Sequence, residues 1–167
     1  MSTITTNNYD NKSKNIGVLI LCILIPLIIG ALSGYITSSE IDSWYNTLQK
    51  PSFNPPNYLF GPVWTCLYIL MGVSLFFIWK SPKTPLRTRA LMVFGVQLFL
   101  NFWWSILFFS FHLLFISVIE ILALLASIVY MIVLFRTIKP IAAYMNIPYL
   151  LWVSFATALT ISIWVLN

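Results

Sequence analysis

Residues 16–37 run for 22 positions without a charged side chain. A helix of that length, rising 1.5 Å per residue, covers the roughly 30 Å hydrocarbon core of a bilayer. Four further stretches share this apolar character, at about 62–79, 90–111, 113–135 and 143–166. In lipid, backbone N–H and C=O groups have to be satisfied internally, so such runs become helices rather than open strands or loops. The wider composition agrees. Of 167 residues, 60% are hydrophobic and 8% charged, more apolar surface than a soluble domain of this size can bury. The expected fold class is an all-α membrane protein, a five-transmembrane-helix bundle. Residues 1–15, rich in Ser, Thr and Asn, read as a disordered polar tail, and 16–167 as one domain.

A secretory signal competes for the first run, because Lys12 and Lys14 precede it and Ala31-Leu32-Ser33 resembles a cleavage site. Its length argues for a span instead. Gly30 and Gly34 also form a small-xxx-small face suited to close helix packing or dimerisation. Pro26 fits such a helix if neighbours compensate the freed carbonyl.

Charge sets the expected orientation. Five spans put the loops on alternate sides, and the side of the N-terminus collects Lys12, Lys14, Lys80, Lys83, Arg87, Arg89, Arg136 and Lys139. The opposite side holds Lys50, with Glu40 and Asp42. This asymmetry is the positive-inside pattern, and it places the N-terminus on the inner side. It distributes the basic residues over short turns, so they are not a nucleic-acid patch.

Between the first two spans lies a stretch of another kind, 44–62, with Pro51, Pro55, Pro56 and Pro62 among Trp44, Tyr45, Phe53, Tyr58 and Phe60. Each proline fixes φ and pushes the preceding residue out of the helical region. The result is a stiff loop whose rings need an apolar bed. It reads as a lid over one end of the bundle.

Three spans offer aromatic or amide faces at helical spacing. They are Trp64 and Tyr68 in the second, Gln97, Asn101, Trp104, Ser105 and Phe108 in the third, and Tyr149, Trp152, Phe155, Ala156 and Leu159 in the fifth. Uncharged polar groups in lipid either bond helix to helix or line a cavity, and spacing leaves both open. Glu120 is the only acid inside a span, read as a carboxyl near the interface, hydrogen-bonded or reaching headgroups. Cys22 and Cys66 sit in apolar runs as small hydrophobes, and the single His112 offers no metal cluster. No nucleophile–base pair, phosphate loop or carboxylate pair is present, so hydrolytic or transfer chemistry is not expected.

The motifs together resemble a known family. They are Trp44-Tyr45-x-x-Leu48-x-Lys50-Pro51-x-Phe53-x-Pro55-Pro56, Pro62-x-Trp64, Gln97-Leu98-x-x-Asn101-x-x-Trp104-Ser105-x-x-Phe108-Phe109 and Pro148-Tyr149-x-x-Trp152-x-x-Phe155-Ala156-Thr157. In this order they are similar to the translocator protein family (tryptophan-rich sensory protein, or peripheral benzodiazepine receptor), over residues 16–167. The resemblance implies a five-helix bundle, often a homodimer. It implies a pocket under the first long loop for porphyrins such as protoporphyrin IX, haem-related tetrapyrroles and benzodiazepine-type drugs, with no cofactor beyond the porphyrin as ligand. Carried over by position, the ligand-binding residues are Tyr45, Pro55, Trp64, Tyr68, Gln97, Asn101, Trp152 and Ala156.

An alternative implied activity is light-dependent porphyrin breakdown, for which Trp64 and Trp152 would be the tryptophans concerned. A sterol-transport role is weakened, because 160–165 lacks the Tyr and Arg of the animal cholesterol motif. Glu120 stands where the family usually has Asp, which keeps the charge. The membrane would be mitochondrial (outer) in a eukaryote and the plasma membrane in a bacterium.

Overall fold

The computed structural model describes residues 3–167, with side chains from Asn15 onward apart from Asp42. Its α-helices are α1 (Thr3–Asp42), α2 (Trp44–Thr47), α3 (Phe60–Trp79), α4 (Pro85–Ser105), α5 (Leu114–Ile138), α6 (Pro140–Tyr144) and α7 (Ile147–Leu166). A 3-10 turn, Asn57–Leu59, leads into α3, and a π-helical turn, Ile106–Ser110, prolongs α4. Five segments are long and apolar enough to cross a bilayer: Asn15–Ile41, Asn57–Trp79, Pro85–Ser110, Leu114–Ile138 and Pro140–Leu166. Helical backbone continues ahead of the first of these as far as Thr3. The polar tail expected over 1–15 falls almost wholly on residues whose side chains lie outside the described set.

Two boundaries differ from the apolar runs, each for a local reason. α4 begins at Pro85, five residues before the run at 90. Thr84 is its N-cap, accepting from the Arg87 amide at 3.1 Å, and Pro85 occupies the first turn, where no N–H is needed. Arg87 then turns back on the preceding helix. Its Nε and Nη2 donate to the carbonyls of Ile78 (3.2 Å) and Trp79 (2.7 Å), satisfying the end of α3. The last span starts at Pro140 and breaks at Asn146. That buried amide donates to Ser74 Oγ (2.6 Å) and to the Ala142 carbonyl (2.8 Å), tying the break to α3.

The spans close into a ring in which α1 packs on α3 and α4, α3 on α6 and α7, and α5 on α4 and α7. Inside lie Met71, Ile121, Ile128, Met131, Phe135 and Val153, all essentially inaccessible. Outside, Leu21, Phe99, Leu151 and Val165 are more than 60% exposed, as suits side chains whose solvent is lipid. α1 and α3 approach closely at Gly72. A Cβ there would stand 2.8 Å from the Cys22 carbonyl oxygen and collide with the backbone of Ile23. Pro26, four residues on from Cys22, lacks the N–H that this carbonyl would otherwise accept. The glycine thus brings α3 against an α1 carbonyl whose usual donor Pro26 removes.

The small-residue face of α1 is used within the chain. A Cβ on Gly30 would fall on the Tyr68 ring, whereas one on Gly34 would meet nothing within 4 Å.

Candidate functional site

Where α1, α3 and α4 meet beneath the 44–62 loop, they enclose a cavity of about 300 Å³. Its space comes from α1, where Gly30, Ala31 and Gly34 withhold side chains, and from Gly61 on α3. Its other walls are aromatic: Tyr45, Phe60, Trp64, Tyr68, Trp104 and Phe109. Polar groups are few. Thr37 and Ser105 face each other at 3.4 Å, with Ser33 and Asn101 nearby on the same wall. A lobe of about 20 Å³ lies toward α7, sharing Tyr45, Phe60, Trp64, Trp104 and Phe109 and adding Trp152, Phe155, Ala156 and Thr160. The two spaces thus share five aromatic residues.

A hydrogen-bonded chain braces the wall. Tyr68 donates its hydroxyl to Asn101 Oδ1 (2.7 Å), Asn101 Nδ2 donates to the Tyr149 hydroxyl (3.3 Å), and Tyr149 donates to Gln97 Oε1 (2.8 Å). Trp64 stacks on Tyr68 at 5.4 Å between centroids and meets Tyr149 edge-on at 6.2 Å. Among the buried donors that find no acceptor within the described residues are Gln97 Nε2, Trp104 Nε1 and Trp152 Nε1, with the Ser110 hydroxyl a fourth. A buried donor left unpaired costs about 1–3 kcal/mol. Trp104 borders both spaces and Trp152 the smaller one, while Gln97 borders neither.

The loop is fastened over this cavity. Tyr45 is buried and donates to Asn54 Oδ1 at 2.6 Å, with Lys50 Nζ 4.4 Å from the centre of its ring. Burial pushes its phenol up to about 12, against the smaller opposing effect of the Asn54 bond. Tyr45 also packs edge-on against Phe108 and Phe109 of the π-helical turn. Trp44 stacks on His112 at 4.0 Å and 18°, and His112 Nε2 lies 3.3 Å from Glu40 Oε2. His112 reaches this position with φ of 56°, the left-handed region seldom adopted by residues other than glycine. At the other side, the Gln49 amide donates to Asn167 Oδ1 (2.9 Å) and Asn167 Nδ2 donates back to the Gln49 carbonyl (3.0 Å).

Of the residues singled out in the sequence, Tyr45, Trp64, Tyr68 and Asn101 border the larger space, and Trp152 and Ala156 the smaller. Gln97 borders neither. It lies one turn deeper than Asn101, fully buried, with its acceptor taken by Tyr149. Pro55 borders neither, and its carbonyl accepts from Asn54 Nδ2 at 3.0 Å within the loop. The residues carried over by resemblance left out Trp104, which borders both spaces, and Tyr149, which joins both amides. Both stand in the helical stripes already noted, so the signal was periodicity without direction. Neither Glu120 oxygen has a partner among the described residues, and Glu120 borders neither space.

Fold and site together define a multi-pass membrane protein with an aromatic cavity beneath a proline-rich lid. Residues 22–165 match the model of the TspO/MBR family. The chain is 39% identical over 154 residues to the tryptophan-rich protein TspO of Archaeoglobus fulgidus, covering 92% of this chain and 99% of that one. It is 36% identical to the TspO of Chlorobaculum tepidum, covering 93% and 99%, and 33% identical to the human translocator protein, covering 72% and 73%. The chain belongs to the TspO/MBR family.

Proposed function

We propose that this protein is a membrane receptor for porphyrins and related tetrapyrroles, bound in the cavity beneath the lid. The observation that carries the reading is the pair of unpartnered indole N–H groups, Trp104 and Trp152, in an otherwise aromatic enclosure. A flat macrocycle with carboxylate or carbonyl oxygens supplies both the stacking surface and the missing acceptors. Stacking on Trp64 and Tyr68 contributes about 0.5–1.5 kcal/mol per pair beyond burial. The larger space, at about 300 Å³, sits at the small end of ligand sites. A macrocycle therefore extends into the second lobe by displacing the shared rings. The basic turns face the inner side of the membrane, as the positive-inside asymmetry directs.

The test is a protoporphyrin titration of the purified protein, followed by tryptophan quenching. Trp104→Phe and Trp152→Phe keep an aromatic ring, smaller than indole, and remove the N–H. Each is expected to weaken binding about 2- to 13-fold, the worth of one hydrogen bond of about 0.5–1.5 kcal/mol. Quenching that does not saturate, or affinities unchanged in both variants, would sink the reading. Repeating the titration under illumination separates a receptor from a photochemical enzyme. In the receptor, porphyrin absorbance decays no faster than in a tryptophan-poor membrane control.

A further inference from the structure

The polar contacts that fasten the 44–62 loop answer differently to pH. Gln49 and Asn167 meet through amide groups, which carry no charge in water. Tyr45 holds Asn54, and its phenol, pushed up to about 12 by burial, keeps its proton over the ordinary range. The contact of Trp44 with His112 and Glu40 has an imidazole at its centre. Histidine is the side chain whose charge changes between about pH 5 and 8.

The geometry makes His112 a clamp. Glu40 lies near the end of α1, and Trp44, four residues on, begins α2 and the loop. His112 reaches both from the turn between α4 and α5. Its ring lies flat on Trp44, at 4.0 Å and 18°, while Nε2 meets Glu40 Oε2 at 3.3 Å. One imidazole thus ties the root of the loop to the far side of the bundle. Its backbone is held at φ of 56°, with the Leu113 and Leu114 amides bonded to the Leu107 and His112 carbonyls at 3.0 and 3.1 Å. A backbone outlier held in place by its surroundings points to a working position.

The charges around it set the sign. From α1 the acid at the imidazole is Glu40, and Asp42, at the same end of that helix, has the same sign. α2 adds the Tyr45 phenol, engaged with Asn54, and 106–117 holds no Asp, Glu, Lys or Arg. Lys50 sits over the Tyr45 ring. Protonation therefore sets a cation against an acid and on the face of an indole, and both contacts strengthen.

We propose that this contact is a pH-sensitive latch on the loop: protonated His112 clamps Trp44 and Glu40 together and holds the cavity closed, and release of that proton loosens the root of the loop and lets the cavity exchange its contents. The latch is tightest on the acid side of the histidine range and weakens as pH rises through it.

The test is hydrogen exchange of the full chain in lipid nanodiscs at pH 5.5 and 7.5. It is read at the amides of Gln49 and Asn54, bonded to Asn167 Oδ1 at 2.9 Å and to the Pro51 carbonyl at 3.0 Å. No ligand is needed, so the outcome is independent of the tetrapyrrole reading. Each variant is compared with the unaltered protein at the same pH, so the intrinsic chemistry of exchange cancels. Glu40→Gln keeps the shape and removes the charge. Its loop amides exchange about two- to fivefold faster than those of the unaltered protein at pH 5.5, the worth of one partly exposed ion pair, and at an equal rate at pH 7.5. His112→Asn, a residue type that also tolerates left-handed backbone, loses the stack as well. Exchange then rises at both pH values, and more at pH 5.5. The amide of Ile128, in the core of α5, is unmoved in both variants. A Glu40→Gln ratio that is the same at both pH values overturns the proposal. So does a larger ratio at pH 7.5, or loop amides without protection at either pH in the unaltered protein. Glu40→Gln alters a partly exposed side chain, so its outcome stands even if His112→Asn fails to fold.

Discussion

Gly30 and Gly34 are one turn apart on α1, have the same chemistry, and should respond oppositely to the same substitution. In Gly30→Ala the new methyl lands on the Tyr68 ring. That ring is held between Trp64, stacked at 5.4 Å, and Asn101, bonded at 2.7 Å, so it has no easy retreat. Overpacking of this kind costs about 1–3 kcal/mol. If the ring swings away, the Tyr68–Asn101 bond is lost as well, worth about 0.6 and at most about 1.7 kcal/mol between membrane helices. Helix propensity returns up to about 1 kcal/mol on replacing glycine with alanine. The net expectation is destabilisation by about 1–4 kcal/mol. Gly34→Ala meets nothing within 4 Å and keeps the propensity gain, so its stability stays level or rises by up to about 1 kcal/mol. Unfolding in mixed micelles with rising SDS, followed by tryptophan emission, measures both. Equal shifts would refute the reasoning. A concentration-dependent loss in both variants would show instead that the two glycines form a face between chains.

The Tyr45 phenol titrates at about 12 in the folded chain, against about 10 when unfolded. Its contribution is complete below pH 10 and is lost as pH rises through 12. Between those values the unaltered protein should lose stability faster than Tyr45→Phe, as read by parallel unfolding curves. His112→Ala removes both the Trp44 stack and the Glu40 contact. Because the pair is partly exposed, at 40% and 32%, its electrostatic part is worth at most about 1 kcal/mol. Protoporphyrin should leave this variant a few-fold faster in stopped-flow displacement, with the midpoint of global unfolding almost unmoved. A matching drop in that midpoint would place His112 in the core of the fold rather than at the lid.

The five spans were legible because lipid leaves few alternatives: an uncharged run of some twenty residues is a helix, and its length is its span. The loop at 44–62 was legible from its prolines and rings. What the sequence concealed was direction. Periodicity put Gln97 and Asn101 on one stripe, but only packing decides that Asn101 borders the cavity while Gln97 turns its oxygen to Tyr149. The part of α1 was hidden for a similar reason. Gly30 and Gly34 read as a packing face, and a wall made by withheld side chains has no signature distinct from one. The start of α4 was misjudged by reading apolar length alone, since Thr84 and Pro85 carry the helix back into the basic turn.

The meeting of Gly72 with the Cys22 carbonyl has a mechanical consequence. Above that contact α1 carries Pro26 and then the glycines and hydroxyls of the cavity wall; at it, Gly72 of α3 lies against the α1 backbone of Cys22 and Ile23. The contact is a fulcrum. From Ile23 to Thr37 the arm is fourteen residues, about 21 Å. A tilt of about 5° at the pivot then carries Thr37 sideways by roughly 2 Å over that arm. A swing about this pivot would widen the cavity by leverage, with α1 still helical.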